Sequence, residues 1–400
     1  MNAHPPQRRG LFGRPVLTIA IVLGVLAALG FGGMAVADRR SNGSTWQQPP
    51  LALSGTAAKR TPESTGTATG DSDTTSSDPS IELSATGDIM MSSAPNRLPP
   101  NDGDDFFDSV RSALKSDLVM GNLEQPLTND TGASKCGSPA EANCFAFRSP
   151  PSYAAHLKDA GFELMNLANN HAQDFGSAGH ANTLRALEGA GLKHTGAADE
   201  ITVVEVKGVK VAVLGFSPYA GTNNLNDIAH TRRIVAKAKG EADVVVVQAH
   251  LGAEGSDKNH VKPGGELFYG ENRGDPLTFT HAAIDAGADV VIMHGPHVLR
   301  GMQFYQGKLI AYSLGNFGGG GRTLSNTGIL KYGGVLHVKL TKDGAWAGGS
   351  FLSTYLSPVG LPTRDSANEQ GRKLVAKLSK EDFGDTAARI GSDGSISPPA

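Results

Sequence analysis

A chain of 400 residues, 39% hydrophobic and 19% charged, is long enough for one large domain or two ordinary ones and for a sizeable buried core. Its formal net charge of −3 leaves no basic footprint, which excludes a nucleic-acid partner drawn in by electrostatics. Glycine is high, 51 of 400 residues against a usual ~7%, and part of the excess falls in loops beside the candidate site described below.

The first 40 residues read as a targeting segment. Arg8, Arg9 and Arg14 form a basic region ahead of Val16–Ala37, which carries no charge. That run is long enough for a membrane span of ~20 residues, while Ala35-Val36-Ala37 also fits a small-residue cleavage site. The length of the run favours a signal anchor over residues 1–37, which would make a single-pass protein of the cell membrane with an extracytoplasmic domain. Secretion after cleavage near Ala37 is the alternative. Residues 38–80 are rich in Ser, Thr, Gly, Pro and Asp; such a segment cannot bury enough apolar surface to offset its ordering entropy and is expected to be a flexible linker. Residues 81–383 are then the folded domain, and 384–400 a disordered tail.

The folded domain opens with a strand, Ile81–Thr86, followed by Gly87 and Asp88. Phe106, Phe107, Val110 and Leu114 are spaced for a helix over Asp104–Leu114. Leu118–Gly121 is a short strand ending in Asn122-Leu123-Glu124, where Asn122 and Glu124 point the same way in an extended chain. Thr128–Arg148 is an insertion carrying Cys136 and Cys144, the two cysteines of the chain. In an oxidising compartment this pair is expected to form a disulfide, since no histidine lies in the loop to support a metal pair. A helix over Ser152–Ala160 leads into a buried strand, Phe162–Ala168, which runs into Asn169, Asn170 and His171. Ala178–Gly189 is a helix, Ile201–Phe216 a hairpin around Lys207-Gly208, and Ile228–Lys239 another helix. Asp243–Gln248, with four consecutive valines, suits a strand buried on both faces and ends at His250. Residues 255–275 are a long polar loop. After a helix at Thr278–Ala286, the strand Asp289–Met293 ends in His294-Gly295-Pro296-His297. A hairpin turns around Gln306-Gly307. Two late antiparallel strands, Tyr332–Leu340 and Trp346–Ser353, precede a last helix, Ala367–Ser379.

Five strand ends thus carry Asp88, Asn122 and Glu124, Asn170 and His171, His250, and His294 and His297. In open α/β sheets ligands bind beyond the carboxyl ends of strands, so a strand order that clusters these ends would assemble one site. Carboxylate and imidazole without cysteine suit Mn, Fe or Zn. So many groups could hold two divalent ions ~3.5–4 Å apart, with a histidine beside them to protonate a leaving group.

The segments GDIM (87–90), GNLEQPLT (121–128), NLANNHAQDFG (166–176), HLGAE (250–254) and GADVVIMHGPHVLRG…GKLIAYSLGNF (287–317), in that order, resemble the CapA family, the poly-γ-glutamate capsule biosynthesis proteins, over roughly Ile81 to Leu356. The resemblance implies an α/β domain similar to calcineurin-like metallophosphoesterases, a two-sheet core flanked by helices in four layers, α-β-β-α. It implies Asp88 as a metal ligand, Glu124 with Asn122 at the bridging acid, Asn170 as a metal-binding amide and His171 as the proton donor. It further implies His250 as a lone metal histidine and His294 and His297 as the terminal histidine motif. The chain departs from the phosphoesterase pattern at Met90, where an Asp-x-His start would place a histidine, and in having two residues rather than one between His294 and His297. Two functions follow from the resemblance: a metal-dependent hydrolase acting on an anionic cell-surface polymer, or a non-catalytic metal-dependent partner that binds or exports that polymer beside a membrane synthase.

Overall fold

The computed structural model describes residues 80–129, 133–137 and 144–400. The expected membrane segment over 1–37 and nearly all of the linker lie outside the described residues. Among the described residues, no helix is long and apolar enough to cross a membrane.

The domain is a mixed α/β fold built on two sheets. The first runs in spatial order Pro362–Arg364, Trp346–Leu356, Tyr332–Thr341, Ser80–Met90, Leu118–Leu123, Leu164–Asn166 and Lys193–Thr195, with Asn316–Gly319 also pairing with Ser80–Met90. The second runs Met302–Tyr305, Lys308–Ala311, Val290–His294, Val244–His250, Val209–Ser217 and Thr202–Val206. The four strands from Ser80–Met90 to Lys193–Thr195 are mutually parallel, as are the middle four of the second sheet.

The valine run shows why the layers stack. Side chains alternate across a strand, so Val244 and Val246 join a core shared with Ile81, Leu83 and Ala85 of the other sheet. Val245 and Val247 face the opposite way, onto Ile234, Val235 and Phe279 of the helices Ile228–Glu241 and Pro276–Asp285. On the far side, Val119 and Met165 pack against Tyr153, Leu157 and Leu187 of the helices Tyr153–Ala160 and Gly176–Gly189. Helices therefore cover the outer face of each sheet, and the sheets share the central core.

Three expectations change. The helix expected over Asp104–Leu114 is confined to Arg111–Leu114. The stretch before it closes in tight i→i+3 turns, Phe106 N to Gly103 O at 3.0 Å and Val110 N to Phe107 O at 3.0 Å. These bury both adjacent phenylalanines, whose rings lie edge to face at 4.7 Å. The strand expected over Phe162–Ala168 pairs only at Leu164–Asn166, because the chain turns back at once, Asn169 N bonding to Leu167 O at 3.0 Å. The tail 384–400, expected to be disordered, is folded. Arg389–Ile390 pairs with Ile396–Ser397, Ala388 and Ile396 enter the central core, and Gly394 O accepts from Phe351 N at 2.8 Å. Two apolar anchors and an open sheet edge suffice where composition alone suggests none.

Candidate metal centre

Sheet register sets the first half of the site. Asn166 lies opposite Asn122, Asn122 opposite Asp88, and Asp88 opposite Asn316, so four polar residues form one row across the strand ends. Gly87 makes the row possible. A Cβ there would sit 1.9 Å from Gly315 O, a backbone atom that cannot rotate away. With glycine, Asp88 N bonds Gly315 O at 2.9 Å, and the neighbour of this strand changes from Val335 at Thr86 to Asn316 at Asp88.

The second sheet supplies histidines. His250 and His294 are register partners at the ends of adjacent parallel strands. Gly295 follows with φ 109°, and a Cβ on it would lie 3.1 Å from the His250 ring. His297 closes the turn at φ 58°, a left-handed conformation that costs an ordinary residue roughly 1 kcal/mol.

These halves meet in the interior. His297 Nδ1 lies 3.1 Å from Asp88 Oδ2 and 2.9 Å from Asn316 Oδ1. His250 Nε2 is 3.5 Å from Glu124 Oε1, and His294 Nδ1 is 4.0 Å from Asp88 Oδ1. Ligand atoms of Asp88, Glu124 and His250 all lie within 4.8 Å of one another, and all three residues are buried. Both oxygens of Glu124, Nε2 of His250 and Nδ1 of His294 are buried without a hydrogen-bond partner. Leaving several such groups unpaired is costly, and oxygen and imidazole donors converging on one point suit a divalent ion. The residues present therefore fit a metal.

The surroundings fix how each ring is presented, as second partners of metal ligands do. Gln248 Oε1 at 3.1 Å takes the His294 Nε2 proton, which leaves Nδ1 for the site. Two acceptors, Asp88 Oδ2 and Asn316 Oδ1, claim the Nδ1 proton of His297, which leaves Nε2. Asn122 has both amide atoms engaged: Nδ2 donates to Asp88 Oδ1 at 2.8 Å, and Oδ1 accepts from Asn166 and Asn169 at 2.9 and 3.2 Å. It aims Asp88 and has no lone pair directed at the centre. Asn169 is likewise wired into this row, whereas the Asn170 amide oxygen is buried without a hydrogen-bond partner.

Burial and charge set the protonation. Burial pushes the Glu124 carboxyl well above the usual range, with Asp88 adding to it. Burial also opposes ionisation of Asp88, yet the hydrogen bond and charge of His297 outweigh it and hold its pKa below the usual carboxylate value. Burial lowers His250 well below an ordinary histidine and His294 to about 4, so both are neutral, the form that binds metal. His297 is buried too, but Glu124 and Asp88 raise it well above its ordinary value.

Loops form the outer rim. A cleft of ≈ 440 Å³ is lined by Met90, Phe147, His171, Glu254, His297 and Asn316 among others. An adjoining cleft of ≈ 580 Å³ shares His171 and Glu254 and adds Lys135, Asn170, Tyr219 and Arg273. His171 Nδ1 is 2.8 Å from Asp174 Oδ2, and Lys135 Nζ lies 2.6 Å from the other oxygen of Asp174. Cys136 and Cys144 are joined in a disulfide, Cα–Cα 5.4 Å, beside Lys135 and Phe145. Glu254 is gripped by Arg273 at 3.0 Å.

Asp174, Lys135, Glu254, Arg273 and Asn316 have no role in the reading of the sequence. Asp174 lies three residues past His171, Glu254 ends the HLGAE segment and Asn316 sits in SLGNF, so each stood inside a noted motif. Lys135 and Arg273 carried no signal of that kind.

The model of the family described as "Bacterial capsule synthesis protein PGA_cap" matches residues 82–319. "Capsule biosynthesis protein CapA" of Bacillus anthracis is 34% identical over 260 residues, 59% of this chain and 59% of that protein. "PGA biosynthesis protein CapA" of Bacillus subtilis (strain 168) is 32% identical over 263 residues, 61% of this chain and 64% of that protein. The chain thus spans about three-fifths of the length of these curated relatives. Among solved structures, the 5'-nucleotidase precursor from Thermus thermophilus is similar at 14% identity and a TM-score of 0.40, covering 76% of this chain and 59% of that one.

Proposed function

This chain belongs to the bacterial capsule synthesis protein family, and from that premise we propose that it serves the synthesis of an anionic cell-surface polymer, poly-γ-glutamate, outside the cytoplasm, as a metal-dependent hydrolase of metallophosphoesterase type. The observation that carries the reading is the set of buried, unpartnered ligand atoms of Glu124, His250 and His294, next to His297, which lines one cleft with His171. The Cys136–Cys144 bridge supports an oxidising compartment, in keeping with an N-terminal membrane anchor or a cleaved leader.

Asp88, Glu124, His250, His294 and His297 would hold divalent ions, a pair of Mn, Fe or Zn. When bound, such ions supply Lewis acidity and a nucleophile at neutral pH. The chain's own residues do the rest. Asp174 engages Nδ1 of His171, so Nε2 is the ring atom left to hand a proton to a departing oxygen or nitrogen. Burial holds the His171 imidazole below its ordinary pKa, against the pull of Asp174, so the ring rests neutral with its proton on Nδ1, and Nε2 must first take up a proton before it can pass one to a leaving group. Phe147, edge to face with His171 at 5.0 Å, keeps water off one side of the ring.

A second reading, a polymer-binding or export partner of a membrane synthase without turnover, is favoured by one feature. Phe145 and Tyr269 line both clefts while 61% and 80% exposed, which suits holding a long chain. His171→Ala separates the two. The hydrolase reading expects metal content unchanged by elemental analysis and cleavage of phosphoester or amide substrates abolished. A wild type that retains metal and binds poly-γ-glutamate, yet cleaves no member of such a panel, would move the assignment to the binding role.

A further inference from the structure

We infer that Glu254 is a ligand at a second, outer cation position, which it shares with His297 and Glu124. The inference rests on the metal-centre reading and extends it to a residue outside the strand ends. His297 carries the argument. Its Nδ1 proton is claimed by Asp88 and Asn316, so Nε2 is the atom that faces the cleft. Two carboxylate oxygens flank that nitrogen, Glu124 Oε1 at 3.6 Å and Glu254 Oε2 at 3.8 Å. Neither distance is a hydrogen bond, and each is a spacing that a pair of ligands of one ion adopts, whereas the three donors already mutually close are Asp88, Glu124 and His250. Both Glu124 oxygens are fully buried without a hydrogen-bond partner. One of them, Oε1, lies 3.5 Å from His250 Nε2 and 3.6 Å from His297 Nε2, so a single carboxylate atom stands between the two histidines, where an acid shared by two ions would stand.

Glu254 is held for this task. Arg273 takes its Oε1 at 3.0 Å, and Arg273 is itself buried and stacked over Phe268 at 5.1 Å. One oxygen of Glu254 is thereby fixed and the other left toward His297. Met90 lines the same cleft but offers only a thioether, a poor ligand for Mn, Fe or Zn beside oxygen donors. Glu254 is the hard oxygen ligand on that side. It also lies on the rim shared by both clefts, which places the outer ion where a substrate oxygen can reach it.

Mn(II) titration of the whole chain, followed by elemental analysis and electron paramagnetic resonance, tests this. The wild type is expected to take two equivalents and to show the signature of an exchange-coupled Mn(II) pair. Glu254→Gln keeps the size of a side chain that is only partly buried. It is expected to weaken the second equivalent about 10-fold or more and to leave the spectrum of an isolated ion, with unchanged circular dichroism. A coupled pair of unchanged affinity in Glu254→Gln overturns the role of Glu254 and leaves the metal centre standing. A single ion in the wild type also overturns it. No ion in the wild type overturns the metal-centre reading itself.

Discussion

The inner row and the outer rim of the site are built by different physics. Asp88, Asn122, Asn166 and Asn316 take their places from sheet register, and each is at most 1% exposed. Their positions follow from backbone ladders that also hold the central core, so they cannot shift without the sheet. His171, Lys135, Glu254 and Arg273 stand on loops and are held by ion pairs and a disulfide. The difference separates two tasks. The strand ends fix where a cation sits, to the tolerance of a β-ladder, while the rim can vary in what it presents to a substrate without disturbing the cation.

The largest expected effect breaks the row at its origin. In Gly87→Ala the new methyl meets Gly315 O at 1.9 Å and Leu314 O at 2.8 Å. Because those are backbone atoms, the strand must move, at a cost of about 3 kcal/mol. Urea denaturation should show the lower midpoint, and metal binding should fall with it. An unchanged midpoint would mean that the row is not register-locked. Next comes Asp88→Asn, which keeps the size of the side chain but removes the charge that His297 and His294 face. Metal affinity should drop by at least about 100-fold, read by competition with a chromogenic chelator. Comparable loss from Lys135→Met would erase the distinction between row and rim.

A third expectation concerns protons. Burial raises Glu124 well above the ordinary carboxylate range, and His297 is raised well above an ordinary histidine by Glu124 and Asp88, against its burial. Each must lose a proton to act as a ligand. Metal binding should therefore release protons, and affinity should rise with pH until both groups are ionised or neutral as required, then level off. Calorimetry in two buffers of different ionisation enthalpy counts the protons. A count of zero near neutral pH would contradict the environment of Glu124 and His297 described above.

The contrast also explains what the sequence made legible. A buried apolar strand that stops at a polar residue breaks its own pattern, so Asp88, His250 and His294 stand out by eye. Their assembly needed only a strand order that clusters the ends. Asn122 was legible as a site residue, but its engagement of Asp88 and two further asparagines depends on register, which no local pattern encodes. Glu254 and Arg273 are 19 positions apart in a glycine-rich loop, and nothing in such a loop reveals which acid meets which base. The tail failed for the opposite reason. Its Ala388 and Ile396 are too sparse to signal burial, yet the sheet edge they cover is already in place.

The smallest expected effect is at the disulfide, and it tests the comparison from the rim side. The bridge closes a short loop, eight positions from end to end, worth about 2 kcal/mol on the chain-entropy view. Its local consequence is the placement of Lys135, whose ammonium contacts Asp174 Oδ1 at 2.6 Å and Asn170 O at 3.0 Å. The lysine side chain is 33% exposed, so solvent screening limits that pair to roughly 1 kcal/mol or less. Reduction should free Lys135 and leave Asp174 still bonded to His171 Nδ1 and to Phe147 N. His171 then keeps its tautomer but loses part of its support. Turnover or polymer binding should fall only a few-fold, by the loss of an interaction of about 1 kcal/mol, and metal content should not change. Limited proteolysis should show new cleavage near Cys136 and Cys144 alone. Metal loss on reduction would mean that the rim supports the row after all, and that the two regions are one cooperative unit.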